Sequence, residues 1–248
     1  MKKYLYENKK IFSRNLEKLD TWQLGKIKSV LNGSNQVFLL ELFDPKLKNS
    51  FLSVYKPMVG EKPLFDFPPE SLYKREMSAF LISKILGWPQ IPTTTIRKGP
   101  LGIGTLQTFI EHDPDENYFS LRESNLVDFE CFAVFDLIVN NSDRKGSSCV
   151  QDSNKNFWSL DHGLTFNENS RFRTVMFEFN GKKISDNLKE DLIYLRNYLN
   201  KEIEFRDLII DLLTEESFNF FIQRLDLVIE IQKFPYLDVN VNVPWPLI

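Results

Sequence analysis

The sequence is poor in the residues that build disulfide frameworks and zinc sites: it holds two cysteines and two histidines in 248 residues. Cys131 sits in an apolar run and Cys149 follows a polar loop, with no paired spacing between them, so both read as reduced, partly buried thiols. His112 and His162 are too few to form a His-rich metal site. An excess of basic charge is also missing. The formal net charge is −3 and the lysines and arginines are interspersed with acids, which argues against a nucleic-acid partner. No apolar run approaches the ~20 residues needed to cross a bilayer. The opening stretch Met1–Lys10 carries lysines and no apolar signal core, so the expectation is a soluble, cytoplasmic protein with no transmembrane segment.

What is present is a 42% hydrophobic composition, enough to bury a sizeable core in one domain or two intimate lobes. The most informative stretch is Val139-Asn140-Asn141-Ser142-Asp143-Arg144-Lys145, followed by Ser159-Leu160-Asp161-His162-Gly163. Asp143 lies in a polar loop after an apolar run, and Asp161, 18 residues later, ends a strand-like run. Phosphoryl transfer uses such a pair: one carboxylate orients or deprotonates a hydroxyl, and the other holds a metal on the phosphates. Upstream, Phe51–Pro57 reads as a short strand with Lys56 near its end, and Ser71–Gly87 reads as a helix carrying Glu76 beside an apolar stripe. Each residue alone has an ordinary reading. Asp in an Asn/Ser-rich loop caps its own backbone, and a strand-end Lys or helix-surface Glu is simply solvated. The ordered set of four turns the balance toward phosphoryl transfer, with Glu76 fixing an otherwise flexible Lys56.

The segments Val54-Tyr55-Lys56-Pro57, Arg75–Leu81, Asn-Ser-Asp-Arg at 141–144 and Leu-Asp-His-Gly-Leu at 160–164 resemble the phosphatidylinositol 3- and 4-kinase-like superfamily of atypical kinases, in particular a compact bacterial-type branch. The resemblance spans roughly residues 25 to 170 and implies an α+β, bilobal protein-kinase-like fold, ATP, and Mg2+ (or Mn2+). It implies that Lys56 contacts the phosphates with Glu76 orienting it, and that Asp143, with Lys56 and Arg144, forms the catalytic set. Asp161 would be a metal ligand, with Ser148 standing where larger relatives carry an asparagine as second ligand. Lys145 stands where many relatives have histidine. The hairpin Val30–Val37, centred on Asn32-Gly33, would cover the phosphates, with Ser34 as a contact in place of a Gly-x-Gly-x-x-Gly loop. Phe109, Ile110 and Glu111 fall where a hinge would meet adenine.

The organisation expected is an N-lobe over residues 1–113 and a C-lobe over 114–248. The N-lobe holds two β-rich runs, Gly25–Leu31 and Val37–Phe43, then a proline-rich insertion from Pro57 to Glu70 whose aromatics pack on the lobe, then strands at Ile91–Ile96 and Gly104–Glu111. The C-lobe opens with a buried helix over Asn125–Val139 and closes with amphipathic helices from Lys183 onward. Val239–Ile248 reads equally as packed or dangling. The stretch Leu164–Phe179, where an acceptor would be recognised, clusters only Arg171 and Arg173, which is few for a multiply phosphorylated lipid head group. The acceptor is an unidentified hydroxyl-bearing protein, small molecule or lipid. The competing functions are a nucleotide-binding pseudokinase scaffold, motivated by Ser148, and an AMP transferase on the same fold.

Overall fold

The computed structural model describes residues 15–30, 35–46 and 48–248. Ser34 and the tip of the first hairpin therefore lie outside the described residues. A short helix α1 (Asn15–Thr21) leads into a five-stranded antiparallel sheet of β1 (Gln23–Val30), β2 (Val37–Asp44), β3 (Asn49–Pro57), β4 (Thr94–Gly99) and β5 (Gly102–Thr108), in the order β1-β2-β3-β5-β4. The alternation of the strands buries Leu40, Leu42, Tyr55 and Leu106 together with Leu19 of α1 in a small separate core. β3 is central, pairing Lys56 with Thr105 and Pro57 with Gly104 of β5. A side chain at Gly104 would collide with the Lys56 carbonyl, so glycine is what lets β5 close on the lysine. The second strand pair is more compact than the sequence pattern predicts: β4 begins at Thr94 rather than Ile91. Pro92 at the head of this run withholds a ladder donor.

Helix α2 (Leu72–Leu86) joins the sheet to the rest of the chain. It touches β4 and β5 on one side and the helices α5 (Asp186–Lys201) and α6 (Ile203–Leu212) on the other. Burial from two sides explains why all of its residues except Lys74 and Lys84 are buried, where the sequence pattern predicts a single stripe. Gly87 ends it in the left-handed region at φ 82°, with its N–H on the Ser83 carbonyl.

The helical part does not open with one helix over Asn125–Val139. Asn117 caps an earlier start in a capping box with Ser120, giving α3 (Tyr118–Asn125). Leu126–Phe129 forms a 3-10 turn, and α4 (Glu130–Val139) follows. A two-stranded sheet of β6 (Cys149–Gln151) and β7 (Phe157–Ser159) comes next, then α5, α6 and α7 (Glu215–Glu230). α4 packs on α7, and one continuous core runs from Met77 and Phe80 of α2 through Phe132 and Phe135 to Phe221. The closing segment packs rather than dangles: Thr174 N–H donates to the Asn242 carbonyl, and Gly146 N–H to the Leu247 carbonyl at 2.7 Å. In the insertion, Phe67 is buried as expected but Phe65 projects fully into solvent. Both cysteines are free, Cys149 buried and Cys131 half-buried. Among the described residues no helix is long and apolar enough to cross a membrane.

Candidate active site

Where the sheet meets the helical part, the end of β3, the face of α2 and the turn after β7 bring three charges together. Lys56 Nζ lies 2.7 and 2.8 Å from the two carboxylate oxygens of Glu76 and 3.0 Å from Asp161 Oδ1. Glu76 is buried while the Asp161 side chain is 64% exposed, so the lysine bridges a fixed carboxylate and one that faces out. Burial opposes the charge on Lys56, but Asp161 and Glu76 outweigh it and hold the ammonium above its ordinary range. Burial lifts the Glu76 carboxyl, partly offset by Lys56 and by the His162 backbone N–H. Lys56 in turn holds the Asp161 carboxyl below its usual range. Asp161 sits at φ 56°, a left-handed conformation that Asp tolerates better than most residues and that turns the chain out of the strand.

Asp143 faces the same cleft, which also takes in Asn35, Gln36, Glu61, Tyr73, Lys145 and Leu164 and encloses about 750 Å³ of space open to solvent. Its loop begins where Asn140, at φ 49°, ends α4. Asn141 then anchors the turn, donating to Asp136 Oδ1 and accepting the Asp143 N–H. Ser142 N–H donates to the Leu164 carbonyl. Burial pushes the Asp143 carboxyl up to about 6; Lys145, 3.1 Å away, pulls it down, and Asp161 adds to the rise.

Arg144 is a correction to the expected catalytic set. It is fully buried, and its guanidinium holds both Asp136 oxygens at 2.7 and 2.9 Å, the carbonyls of Ser148 and Leu160, and Ser159 Oγ. With every donor turned inward it cannot touch a substrate; it ties the Asp143 loop to the segment that leads into Asp161. The same guanidinium lies 3.0 Å from His162 Nε2. Burial and that cation push the imidazole pKa well below its usual value, so the ring is neutral, with its proton on the buried Nδ1. His162 thus shapes the turn. Ser148 is buried and does not line this cleft, and its backbone carbonyl accepts from Arg144 and from the Leu160 N–H. Phe109, Ile110 and Glu111 also stay off the lining. The Phe109 N–H is taken by Leu52, and the Ile110 carbonyl lies 2.8 Å from His112 Nδ1.

Sequence reasoning missed Glu61. From the proline-rich insertion its carboxylate caps the N-terminus of α2, accepting from Leu72 N–H at 3.2 Å and Tyr73 N–H at 2.9 Å. The usual signal is misleading here, because Ser71 stands at the cap position yet its hydroxyl turns to the Pro68 carbonyl. The insertion also grips the first hairpin through Gln36 N–H to Gly60 and Lys62 N–H to Asn35 Oδ1. Glu61→Ala should therefore cost about 1 kcal/mol of stability, with Glu61→Gln recovering much of the loss. Thermal unfolding of the two variants against the wild type checks this.

No protein-family model matches the chain. Protein Rv2133c of Mycobacterium tuberculosis (strain ATCC 25618 / H37Rv) is 33% identical over 211 residues, covering 71% of this chain and 74% of that protein. The chain belongs to the Rv2133c family. The fold of this Rv2133c-family chain is similar to the crystal structure of the Helicobacter pylori proinflammatory kinase CtkA, with a TM-score of 0.51 at 13% identity, over 85% of this chain and 92% of that one. At that identity the likeness concerns the fold alone. The Rv2133c-family chain has a kinase-like fold, with a sheet-rich N-terminal part and a helical C-terminal part.

Proposed function

We propose that the protein is an ATP-dependent phosphotransferase of the atypical phosphatidylinositol 3- and 4-kinase-like kind, with the lobe up to residue 113 holding nucleotide and residues 114–248 carrying the catalytic loop. The observation that carries this reading is the Lys56–Glu76–Asp161 ion cluster opening onto the cleft that Asp143 also faces. Glu76 removes the rotamer freedom of Lys56, leaving a fixed ammonium for the phosphates of ATP. The donor set fits magnesium or manganese. Among the described residues no group of three His, Cys, Asp or Glu side chains is placed to hold a metal ion by itself, so Asp161 would hold the cation with help from phosphates and water, as Mg2+ prefers. When bound, that cation offsets the negative charge of the phosphate groups. Asp143, as a carboxylate, accepts a hydrogen bond from the acceptor hydroxyl and takes its proton. Lys145 steadies the ionised form.

The test is a thermal shift with ATP and Mg2+, separately and together, on the wild type and Asp161→Ala. A ligand present at 100 times its Kd adds about 2.7 kcal/mol to the stability of the folded state. Stabilisation that needs both ATP and Mg2+ and is lost in Asp161→Ala supports the reading. Absence of stabilisation in the wild type sinks it. Incubation with ATP and mass measurement then separate phosphate transfer from AMP transfer, and binding without turnover would mark a scaffold.

A further inference from the structure

Near the catalytic cleft runs a second, wider groove enclosing about 1960 Å³ of space open to solvent, walled by residues 64–69 of the insertion on one side and by residues 168–171 with Arg173 on the other. Small-molecule sites are typically closed clefts of about 300–1,000 Å³; this one is an open trough between two irregular segments, shaped for a length of chain. Its first wall presents Phe65, fully exposed, with Leu64 beside it. An exposed aromatic ring with a second apolar side chain beside it can serve as an anchor for a partner. The opposite wall presents Arg171 and Arg173, neither of which forms an ion pair among the described residues. The acids of the groove are Asp66 and Glu168. Glu168 accepts from Ser217 Oγ, and its charge acts on the buried Arg75 and Arg224, whose guanidiniums burial has lowered to about 10. With Glu168 turned toward these groups, Arg171 and Arg173 are opposed within the groove by Asp66 alone.

The groove leads to Asp143. Arg173 N–H donates to the Asn141 carbonyl and the Arg144 N–H donates to the Arg173 carbonyl, each at 3.1 Å, so the arginine's backbone straddles the catalytic residue. Its Nη1 reaches the Ser142 carbonyl at 3.4 Å. We propose that this groove is the acceptor site and that the acceptor is an extended acidic protein segment, whose hydroxyl residue is flanked by a carboxylate for Arg171 and Arg173 and by an apolar side chain for Phe65. This rests on the phosphotransferase reading above. The acceptor hydroxyl gives its proton to Asp143 as its oxygen bonds to the γ-phosphorus. The bond from that phosphorus to the β–γ bridging oxygen breaks, and its electron pair leaves with ADP.

The probe is a set of peptides with one central Ser or Thr and either Asp or Lys at each neighbouring position, incubated with the full chain, ATP and Mg2+ and read by mass gain. Acidic peptides should gain phosphate at least about tenfold faster than their lysine counterparts, and Arg171→Glu should abolish or reverse that preference. Phe65→Ala, a change at a solvent-exposed ring that leaves the core intact, should slow labelling of peptides bearing an apolar neighbour. Labelling indifferent to charge overturns the proposal, as does transfer confined to anionic phosphoinositide vesicles or to a phosphorylated sugar. If ADP forms and ATP with Mg2+ stabilises the protein but no peptide is labelled, the acceptor proposal fails while the phosphotransferase reading stands. If ATP does not bind, both fall together.

Discussion

Asp143→Asn should lower phosphate transfer by about 10²–10⁴-fold and at the same time make the protein more stable at neutral pH. Both effects come from one carboxyl. Asparagine keeps the shape and the loop hydrogen bonds, because the turn is held by the Asp143 backbone N–H on Asn141. It cannot take a proton from a hydroxyl, and the chemistry stops. The stability gain follows from burial, which moves the folded-state pKa from the ordinary 3.8 to about 6. A raised carboxyl binds its proton more tightly in the folded than in the unfolded chain. Its favourable contribution is therefore complete below the unfolded value and is lost as pH rises through about 6. At pH 7 the ionised group costs up to about 3 kcal/mol, which asparagine does not incur. Urea unfolding at pH 5 and pH 8 should show the variant's advantage growing with pH. Wild-type turnover should decline about tenfold per unit of pH once the acid is protonated below about 6. A variant no more stable than the wild type at pH 8 would remove the burial argument.

Arg144→Met should destabilise the fold by about 3–5 kcal/mol, the largest loss expected from a single side chain here. The methionine fills much of the volume, but Asp136 remains fully buried with no cation to neutralise it. The Leu160 carbonyl loses its donor as well, and the Ser148 carbonyl keeps only the Leu160 N–H. Replacing both members, Asp136→Leu with Arg144→Met, should recover a large part of the loss, since an apolar pair carries no desolvation cost. Turnover should not recover with it, because the guanidinium ties the Asp143 loop to the segment that carries Asp161. Unfolding free energies of the two singles and the double decide this. Losses that simply add would mean that the pair is not coupled.

How far the sequence carried depended on whether a residue's partner lay at a fixed spacing. Strand and helix periodicity located β3 and α2, and the order of Lys56, Glu76, Asp143 and Asp161 pointed to residues that the structure gathers at one cleft. Arg144 was placed in the catalytic set by the resemblance; only the fold reveals that Asp136, eight residues earlier on a buried helix, claims it. Ser148 was placed by counting along the chain, and the residue lies buried just before β6, off the cleft lining. Glu61 gave no signal, since a cap delivered from eleven residues upstream of Leu72 leaves no local pattern. α2 looked one-sided in sequence because its second neighbour, the α5–α6 pair, begins a hundred residues later. Long-range pairing decided each of these outcomes, and periodicity is blind to it.

The hydrogen bonds from Gly146 to Leu247 and from Thr174 to Asn242 bear on timing. The loop that carries Asp143 is braced by residues that leave the ribosome about a hundred positions later, several seconds at ordinary rates of synthesis. Until they arrive, the N–H groups of Gly146 and Thr174 lack these partners. Contacts so far apart in sequence are also the slowest to form in a folding chain. The final arrangement of the Asp143 loop should therefore be among the last features this protein acquires as it folds, well after the sheet and α2 have come together.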